Sequence, residues 1–490
     1  MTSRPTAESG KLTSTSHPDH PSVNRSNFMT NFLKLLTVVF VSGLLGCTSQ
    51  TRDVADAPAT CAGSLPEGYV FPQPVDGRAQ PLPVSVLSQR LARFRAILIG
   101  ERHDRFDHHL NQLEVLCRLH ARGVPVAVGF EAFEQPFQRY LDAYVAGELD
   151  LAGLLDRTEY YVRWRFDHRL YAPLFEFARA NGLPMLALNV PRGVTRRLAE
   201  EAAEAGFGTL GQRDEAFFPY GLTEPPETYR ERRRMIFHQH SRHLSAGRGA
   251  PKRPRSEAAS APEGKLSKQT AQARGRGDYN RERHGKGKRA RAAFDRFVRV
   301  QWMWDAAMAQ RAVRYLREHP ERTLVVIAGS GHVAYEDAIP GRMAATWSML
   351  GAPPLGIARV LQGARRHQAH GGIGIVATYG AASPEAHDVW LKGPELLLPP
   401  VGKLGVYLEG KEGDVSVTSV AENSGADEAG IKAGDRLISV AGTAVGSYAE
   451  VKLALGKYRA GDTVAVDVIR PGETVSNSLR GPLSFDVRLR

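Results

Sequence analysis

The sequence predicts an α/β fold, a mostly parallel sheet flanked by helices, followed by a small β domain. Three observations carry this expectation. Continuous apolar runs, AILIGE (96–101), VAVGFE (126–131), LPMLALN (183–189) and LVVIAGSGH (324–332), alternate with helical patterns. Strands that are apolar at every position belong to parallel sheets covered on both faces. Beyond residue 400 the texture changes to short β-branched runs between Gly turns, VSVTSV (415–420), RLISVAG (436–442) and TVAVDVIRPGE (463–473), a pattern of separate short strands. The 490 residues are 42% apolar and 24% charged, enough for a real core and for two to four domains at about 150 residues each.

Taken in order, residues 1–46 read as a signal peptide. The run LLTVVFVSGLLG (35–46) follows Lys34 and is too short to span a bilayer, which needs about 20 apolar residues. Leu44-Leu45-Gly46-Cys47 resembles the bacterial lipobox, in which the cysteine becomes the lipid-modified first residue. Cys47 is therefore the expected lipidation site. Thr48 behind it points to the outer membrane of a Gram-negative cell, with the protein anchored on the periplasmic face. Met29 would give a signal of ordinary length and is a possible true start. Residues 47–83 are polar and Pro-rich, a tether. Three cysteines exclude a disulfide scaffold, and Cys61 and Cys117 carry no pattern that pairs them.

The formal net charge is +12, but it is local. Residues 246–292 hold fourteen Lys/Arg and four acids, and residues 1–46 hold four basic and two acidic groups. These account for the whole excess. The 246–292 stretch has almost no large apolar residue and is expected to be a disordered insertion. The rest of the chain is close to neutral, so its charge does not argue for nucleic acid as a partner of the folded part.

The α/β domain is expected over 84–400. AILIGE leads into a helix with Phe106, Leu110, Leu113 and Cys117 on one face; Asn181-Gly182 stops another; a long helix, about 291–318, precedes LVVIAGSGH. Each apolar strand ends in a polar residue: Glu101, Glu131, Asn189 and His332. Ligands of parallel α/β sheets bind at the carboxyl ends of strands, so these side chains should converge, joined by His103 and Asp104. His108 and His109 are neighbours about 100° apart on a helix, so at most one can join; His109 lies on the Gln112 face. The same groups are able metal ligands, but their spacing is not HExxH. No P-loop, GxSxG or GxGxxG is present.

Gly100-Glu101-Arg102-His103-Asp104, His109 with Gln112, Gly129-Phe130-Glu131, Leu188-Asn189-Val190-Pro191-Arg192, Gln301 with Asp305 and Met308, and Gly329-Ser330-Gly331-His332 occur in an order that resembles the ChaN haem-binding lipoproteins. These share a superfamily with the Tiki proteases and erythromycin esterases. The resemblance implies a ligand pocket of Glu101, His103, Asp104, His109, Glu131, Asn189, Arg192, Gln301, Asp305 and His332. It also implies haem, held between two protomers by a tyrosine. Tyr160, Tyr161, Arg163, Trp164, His168 and Tyr220 are the candidates to contact it, with Tyr229 a rival to Tyr220, and Arg233 or Arg234 could meet a propionate. A haem-binding protein for iron or haem uptake is the leading expectation. The competing one is a hydrolase in which Glu101, His103, Glu131 and His332 activate water; a metal ion is possible there but not favoured.

Residues 401–490 resemble a PDZ domain. Ala429-Gly430-Ile431-Lys432-Ala433-Gly434-Asp435-Arg436-Leu437-Ile438 is close to its most specific motif, and Lys403-Leu404-Gly405-Val406 matches its carboxylate-binding loop. The resemblance implies that Leu404, Gly405 and Val406 capture a peptide C-terminus, with a helix over Tyr448–Tyr458 as the facing wall. A third function class follows, an envelope scaffold acting only through this module.

Overall fold

Strands that are apolar throughout need cover on both faces, and the structure supplies it. The computed structural model describes residues 65–66, 69–76, 80–207, 216–218, 221–234, 237, 268–362, 388–391, 393–411, 413–471, 474–475, 478–479 and 482–490, with only the backbone over 268–287. The expected signal (1–46), Cys47, Cys61, most of the tether, Tyr220 and the first part of the basic insertion (246–267) lie outside these residues.

The first sheet comprises β1 (Pro74–Asp76), β2 (Ala96–Glu101), β3 (Val126–Glu134), β4 (Met185–Asn189), β5 (Thr323–Gly329), β6 (Ile357–Gln362) and β7 (Asp388–Leu391). Their order is β1-β7-β6-β2-β5-β3-β4. All neighbours run parallel except β1, which pairs antiparallel with β7 at the edge. Alternate residues of each strand enter different cores. Ile97, Ile99, Val325 and Ile327 face one; Ala96, Leu98, Val326 and Ala328 face the other. This is the period-2 geometry of a sheet buried on both sides.

The first core is covered by α1 (Val84–Leu91), α2 (Phe106–Ala121), α3 (Gln138–Ala146), α4 (Leu151–Arg157), α5 (Tyr160–Arg163) and α6 (Ala172–Ala180). After α7 (Arg192–Ala205), the second core is covered by α8 (Lys268–Glu318), α9 (Ser330–Val333) and α10 (Ile339–Met349). A third cluster, with Leu198, Phe218, Tyr229, Val298 and Trp302, joins α7, a helical stretch at 227–234 and α8. Among the described residues no helix is long and apolar enough to cross a membrane.

One expectation is corrected. Helix α8 begins at Lys268, not near 291, so residues 268–292 of the expected disordered insertion are helical. The reason is local. No proline interrupts 263–319, and Ala, Arg, Lys, Gln and Glu favour helix without any packed face. Lack of apolar residues signals lack of a core, not lack of backbone hydrogen bonds.

The second sheet is antiparallel, with order β15-β12-β10-β9-β8 and β11 on β10. Its strands are β8 (Val406–Lys411), β9 (Asp414–Val420), β10 (Arg436–Val440), β11 (Thr443–Ala444), β12 (Thr463–Ile469) and β15 (Leu483–Arg488); β13 (Thr474–Val475) and β14 (Ser478–Leu479) form a separate hairpin. Two helices close this domain, α11 (Gly425–Ala429) and α12 (Tyr448–Leu455). Val451 and Leu455 of α12 enter the β-domain core, while Ala449, 0% exposed, belongs to the first α/β core and Leu453 packs against it. Arg169 adds hydrogen bonds to the carbonyls of Pro399 at 3.0 Å and Gly456 at 3.5 Å.

Candidate functional site

Pairing register brings the strand ends together. Glu101 of β2 lies opposite Gly329 of β5, and β5 also pairs with β3, so Glu101, Glu131 and the turn after Gly329 meet at the carboxyl edge of the three central strands. The one-turn helix α9 directly after β5 swings His332 inward, where it is buried.

Glu101 is the hub of the first group. Its Oε1 accepts from the Tyr171 hydroxyl and, at 2.8 Å, from His103 Nδ1. Its Oε2 accepts from Gln112 Nε2 at 2.7 Å and lies 3.2 Å from His109 Nδ1. The other His109 nitrogen meets the His103 carbonyl at 3.2 Å. Burial alone would raise the Glu101 carboxyl, but His109 and His103 outweigh it and hold the group well below the usual carboxylate range. Burial opposes charge on His103 as well, yet its hydrogen bond to Glu101 and the nearby Glu131 raise it above an ordinary histidine.

Asp305 is the hub of the second group. It is fully buried, accepts from His332 Nδ1 at 2.5 Å, from the Tyr229 hydroxyl at 2.6 Å and from Arg233 at 3.0 Å. His332 Nε2 lies 3.5 Å from Glu131 Oε1, and Glu131 Oε2 accepts the Gly329 N–H at 2.7 Å. Burial would raise Asp305; His332 and Arg233 lower it. The groups meet at Gly329. A side chain there would place its Cβ 3.0 Å from His103 Nε2 and 3.6 Å from Glu131 Oε2, so glycine lets the imidazole lie over the strand end.

The chemistry available is general acid–base work. Two imidazoles are each oriented by a carboxylate through Nδ1, which leaves Nε2 turned toward the space beside Glu131. The His103 side chain is 25% exposed and is edged by Trp164 at 4.7 Å and Phe166 at 5.0 Å, so this is the end open to solvent. Among the described residues no group of three or more His, Cys, Asp or Glu side chains is arranged to hold a metal ion.

These shifts set a pH dependence. Glu101, held low when folded, adds stability above its unfolded value near 4.3, lost as pH falls through its folded value. His103, held high, adds stability below about 6.5, lost as pH rises through its folded value. The difference in unfolding free energy between wild type and Glu101→Gln should therefore peak between about pH 4.3 and 6.5 and shrink on both sides. A difference constant from pH 3 to 9 in urea titrations contradicts this.

Of the pocket residues expected from sequence, Glu101, His103, His109, Glu131, Asp305 and His332 come together. Asn189 is beside them and holds the Glu131 carbonyl at 3.2 Å; Gln301 is buried nearby in the chain on α8. Asp104 and Arg192 are on the surface, Asp104 paired with Arg102 and Arg192 bonded to the Val162 carbonyl. His108 stays out of the cluster; its Nδ1 accepts the Arg102 N–H at 3.0 Å, and burial pushes the ring down to about 4. Tyr171 and Tyr229 are further members of the cluster, Tyr171 donating to Glu101 and Tyr229, expected as a haem contact, donating to Asp305. Arg233 sits in an Arg-rich run that reads as a solvated face, but it is 2% exposed. The one usable signal was the Tyr229–Arg233 spacing of four on a helix.

The haem candidates do not gather on one surface. Tyr160 is 1% exposed and its hydroxyl, with no hydrogen-bond partner among the described residues, points into the core. His168 is buried, bonded to the Tyr161 hydroxyl at 2.6 Å and pushed by burial down to about 4. Arg163 is held by Glu134 and Glu159, each at 2.7 Å. A better fit lies beside them. Phe137 and Tyr140 stack at 6.2 Å, with Arg139 over Tyr140 at 4.6 Å and Arg163 over Phe137 at 4.8 Å. A phenol, an aromatic face and the Arg139 guanidinium, which donates to the Tyr140 hydroxyl at 2.7 Å, are groups that haem uses for iron, macrocycle and propionate, while Arg163 is taken by its two carboxylates.

Two family models match. One, described as haem-binding uptake, Tiki superfamily, ChaN, covers residues 87–343; the other, the PDZ domain, covers 402–480. Among solved structures, ChaN of Campylobacter jejuni, described with cofacial haem binding, is 15% identical, with 66% of this chain and 96% of that chain covered and a TM-score of 0.39. A serine endoprotease from Yersinia pestis is 24% identical over 18% of this chain and 28% of its own, TM-score 0.15. A photosystem II D1 C-terminal processing protease is 29% identical over 18% and 23%, TM-score 0.16. The chain thus spans less than a third of either protease. No protein of curated function matches.

Proposed function

The chain belongs to the ChaN family of haem-binding uptake proteins in the Tiki superfamily, and from that premise we propose a lipid-anchored envelope protein that binds haem for iron or haem uptake and takes a protein tail in its PDZ domain. The supporting observation is the Phe137–Tyr140 stack between Arg139 and Arg163. Tyr140 would offer its phenol oxygen to the iron, Phe137 the apolar face, and Arg139 a propionate contact. Haem itself supplies the iron that is carried. The cofacial arrangement described for the Campylobacter jejuni protein favours two copies meeting through this face. The lipobox at Cys47 supports anchoring in the outer membrane on the periplasmic side.

Soluble protein from Thr48 onward, titrated with haemin, is expected to give a Soret shift. Tyr140→Phe should weaken binding at least tenfold and change the spectrum, while His103→Ala should leave both as they are. No shift at micromolar haemin overturns the proposal; a shift untouched by Tyr140→Phe moves the iron to another residue.

A second reading is supported by the twin carboxylate–imidazole pairs on Glu101/His103 and Asp305/His332. It is hydrolysis of an ester or peptide, with His103 Nε2 as general base, Glu101 orienting it, and Glu131 and His332 at the leaving group. An ester and lactone panel should show activity that falls at least 100-fold in His103→Ala. Equal rates for the two proteins remove this reading. An envelope scaffold acting through the PDZ domain alone is what remains if both tests are negative.

A further inference from the structure

The peptide groove of the β domain has a second wall that the domain does not supply. Its strand β8 is an edge strand of the sheet, ready for an added strand. Opposite stands α12, the helix whose far face is packed into the α/β core. Two clefts meet along β8, sharing Val406, Tyr407, Leu408 and Tyr448. One, of about 830 Å³, holds the Leu404-Gly405 loop and is bounded across from it by Phe166 and Leu170 of the α/β domain. The other, of about 660 Å³, continues past Glu409 and is bounded by Asp156, Glu159 and Val162. Tyr161 and Tyr448 touch across the join, ring centroids 5.3 Å apart.

The two ends differ in charge. At the carboxylate loop stand Lys403, Lys452 and Arg165, while Asp104 is engaged by Arg102 and Asp167 by Arg169. At the far end stand Asp156, Glu159 and Glu409 against Arg157, with Glu159 also reached by Arg163. A strand adding antiparallel to β8, its carboxylate at Gly405, passes Glu409 after about four residues at about 3.3 Å each.

We propose that a protein tail bound in this groove is gripped by both domains, and that the α/β wall selects tails with basic residues about three to five positions before a free carboxylate. This rests on the PDZ reading above and adds to it a source of selectivity lying outside the PDZ domain. Electrostatic complementarity of this kind decides between partners more than it adds raw affinity.

The test uses the full soluble chain and labelled heptapeptides ending in valine. One has lysine at the fourth and fifth positions from the end, one has glutamate there, and one is the lysine peptide with its carboxylate amidated. The lysine peptide should bind roughly tenfold tighter than the glutamate peptide, and the preference should fade with salt. Asp156→Lys with Glu159→Lys should erase or invert it; Asp156→Asn with Glu159→Gln, a milder pair, should reduce it. Amidation should cost at least tenfold. If acid and amide bind alike, or none of the peptides binds, the PDZ reading itself fails. If the carboxylate matters but the lysine preference is absent, or survives both charge variants in folded protein, the two-domain groove fails alone.

Discussion

Asp305→Ala is expected to destabilise the protein by about 3–5 kcal/mol, the range for removing one partner of a buried ion pair. The carboxylate is fully buried and receives His332, Tyr229 and Arg233 together. Its loss strands the Arg233 guanidinium, itself nearly unexposed, which among the described residues keeps a hydrogen bond only to the Tyr229 hydroxyl at 2.9 Å. Asp305→Asn keeps an acceptor and should cost less, about 1–3 kcal/mol. Urea denaturation of the three proteins decides the matter. An alanine variant within 1 kcal/mol of wild type would mean that Arg233 finds water or another acid at no cost, and the second hub would lose its structural role.

Gly405→Ala is expected to cost about 2–5 kcal/mol and to abolish peptide binding. Two penalties add. The residue has φ of +88°, where a β-carbon costs roughly 1–2 kcal/mol. That carbon would also lie 2.1 Å from Ser424 Cβ, an overlap of the kind that costs about 1–3 kcal/mol in packed sites. Gly413 gives the internal control. It has φ of +80° but meets nothing within 4 Å, so Gly413→Ala should pay the backbone part alone and keep binding. If the two variants melt together, contact with Ser424 is not what confines the loop to glycine. The loop is otherwise fixed from inside, since the Leu404 and Gly405 carbonyls accept from Ala426 and Ala421 at 2.9 and 2.8 Å.

Much of this fold is readable along the chain because its signals are short in range. Four apolar runs form four strands, and the polar residues near their carboxyl ends meet, although Glu131 lies three residues inside β3 and His332 three residues past β5, because parallel strands in register share one carboxyl edge. The rest depends on distance. Tyr171 is an acid's hydrogen-bond donor only because α6 packs where Glu101 ends, 70 residues away. Arg233 is a buried cation only because Asp305, 72 residues on, is beneath it. Periodicity cannot tell such a residue from its solvent-facing neighbours. The aromatic runs misled in the opposite way. Tyr160 and His168 have the chemistry of haem ligands, but the first core needs large side chains there, and burial took them. Tyr140, on the outer side of α3, carried no mark in the sequence that set it apart.

Helix α12 has a consequence for how this protein comes off the ribosome. Its residue Ala449 completes a core whose other members begin at Leu87. A nascent chain that has emerged only to residue 400 therefore carries an α/β domain with an open seam at Leu398, Tyr161 and the α4 surface. Domains usually fold in the order they are made. Here the first keeps an apolar seam uncovered until the second supplies its helix, so a chain truncated at that point is expected to associate more readily than the full protein.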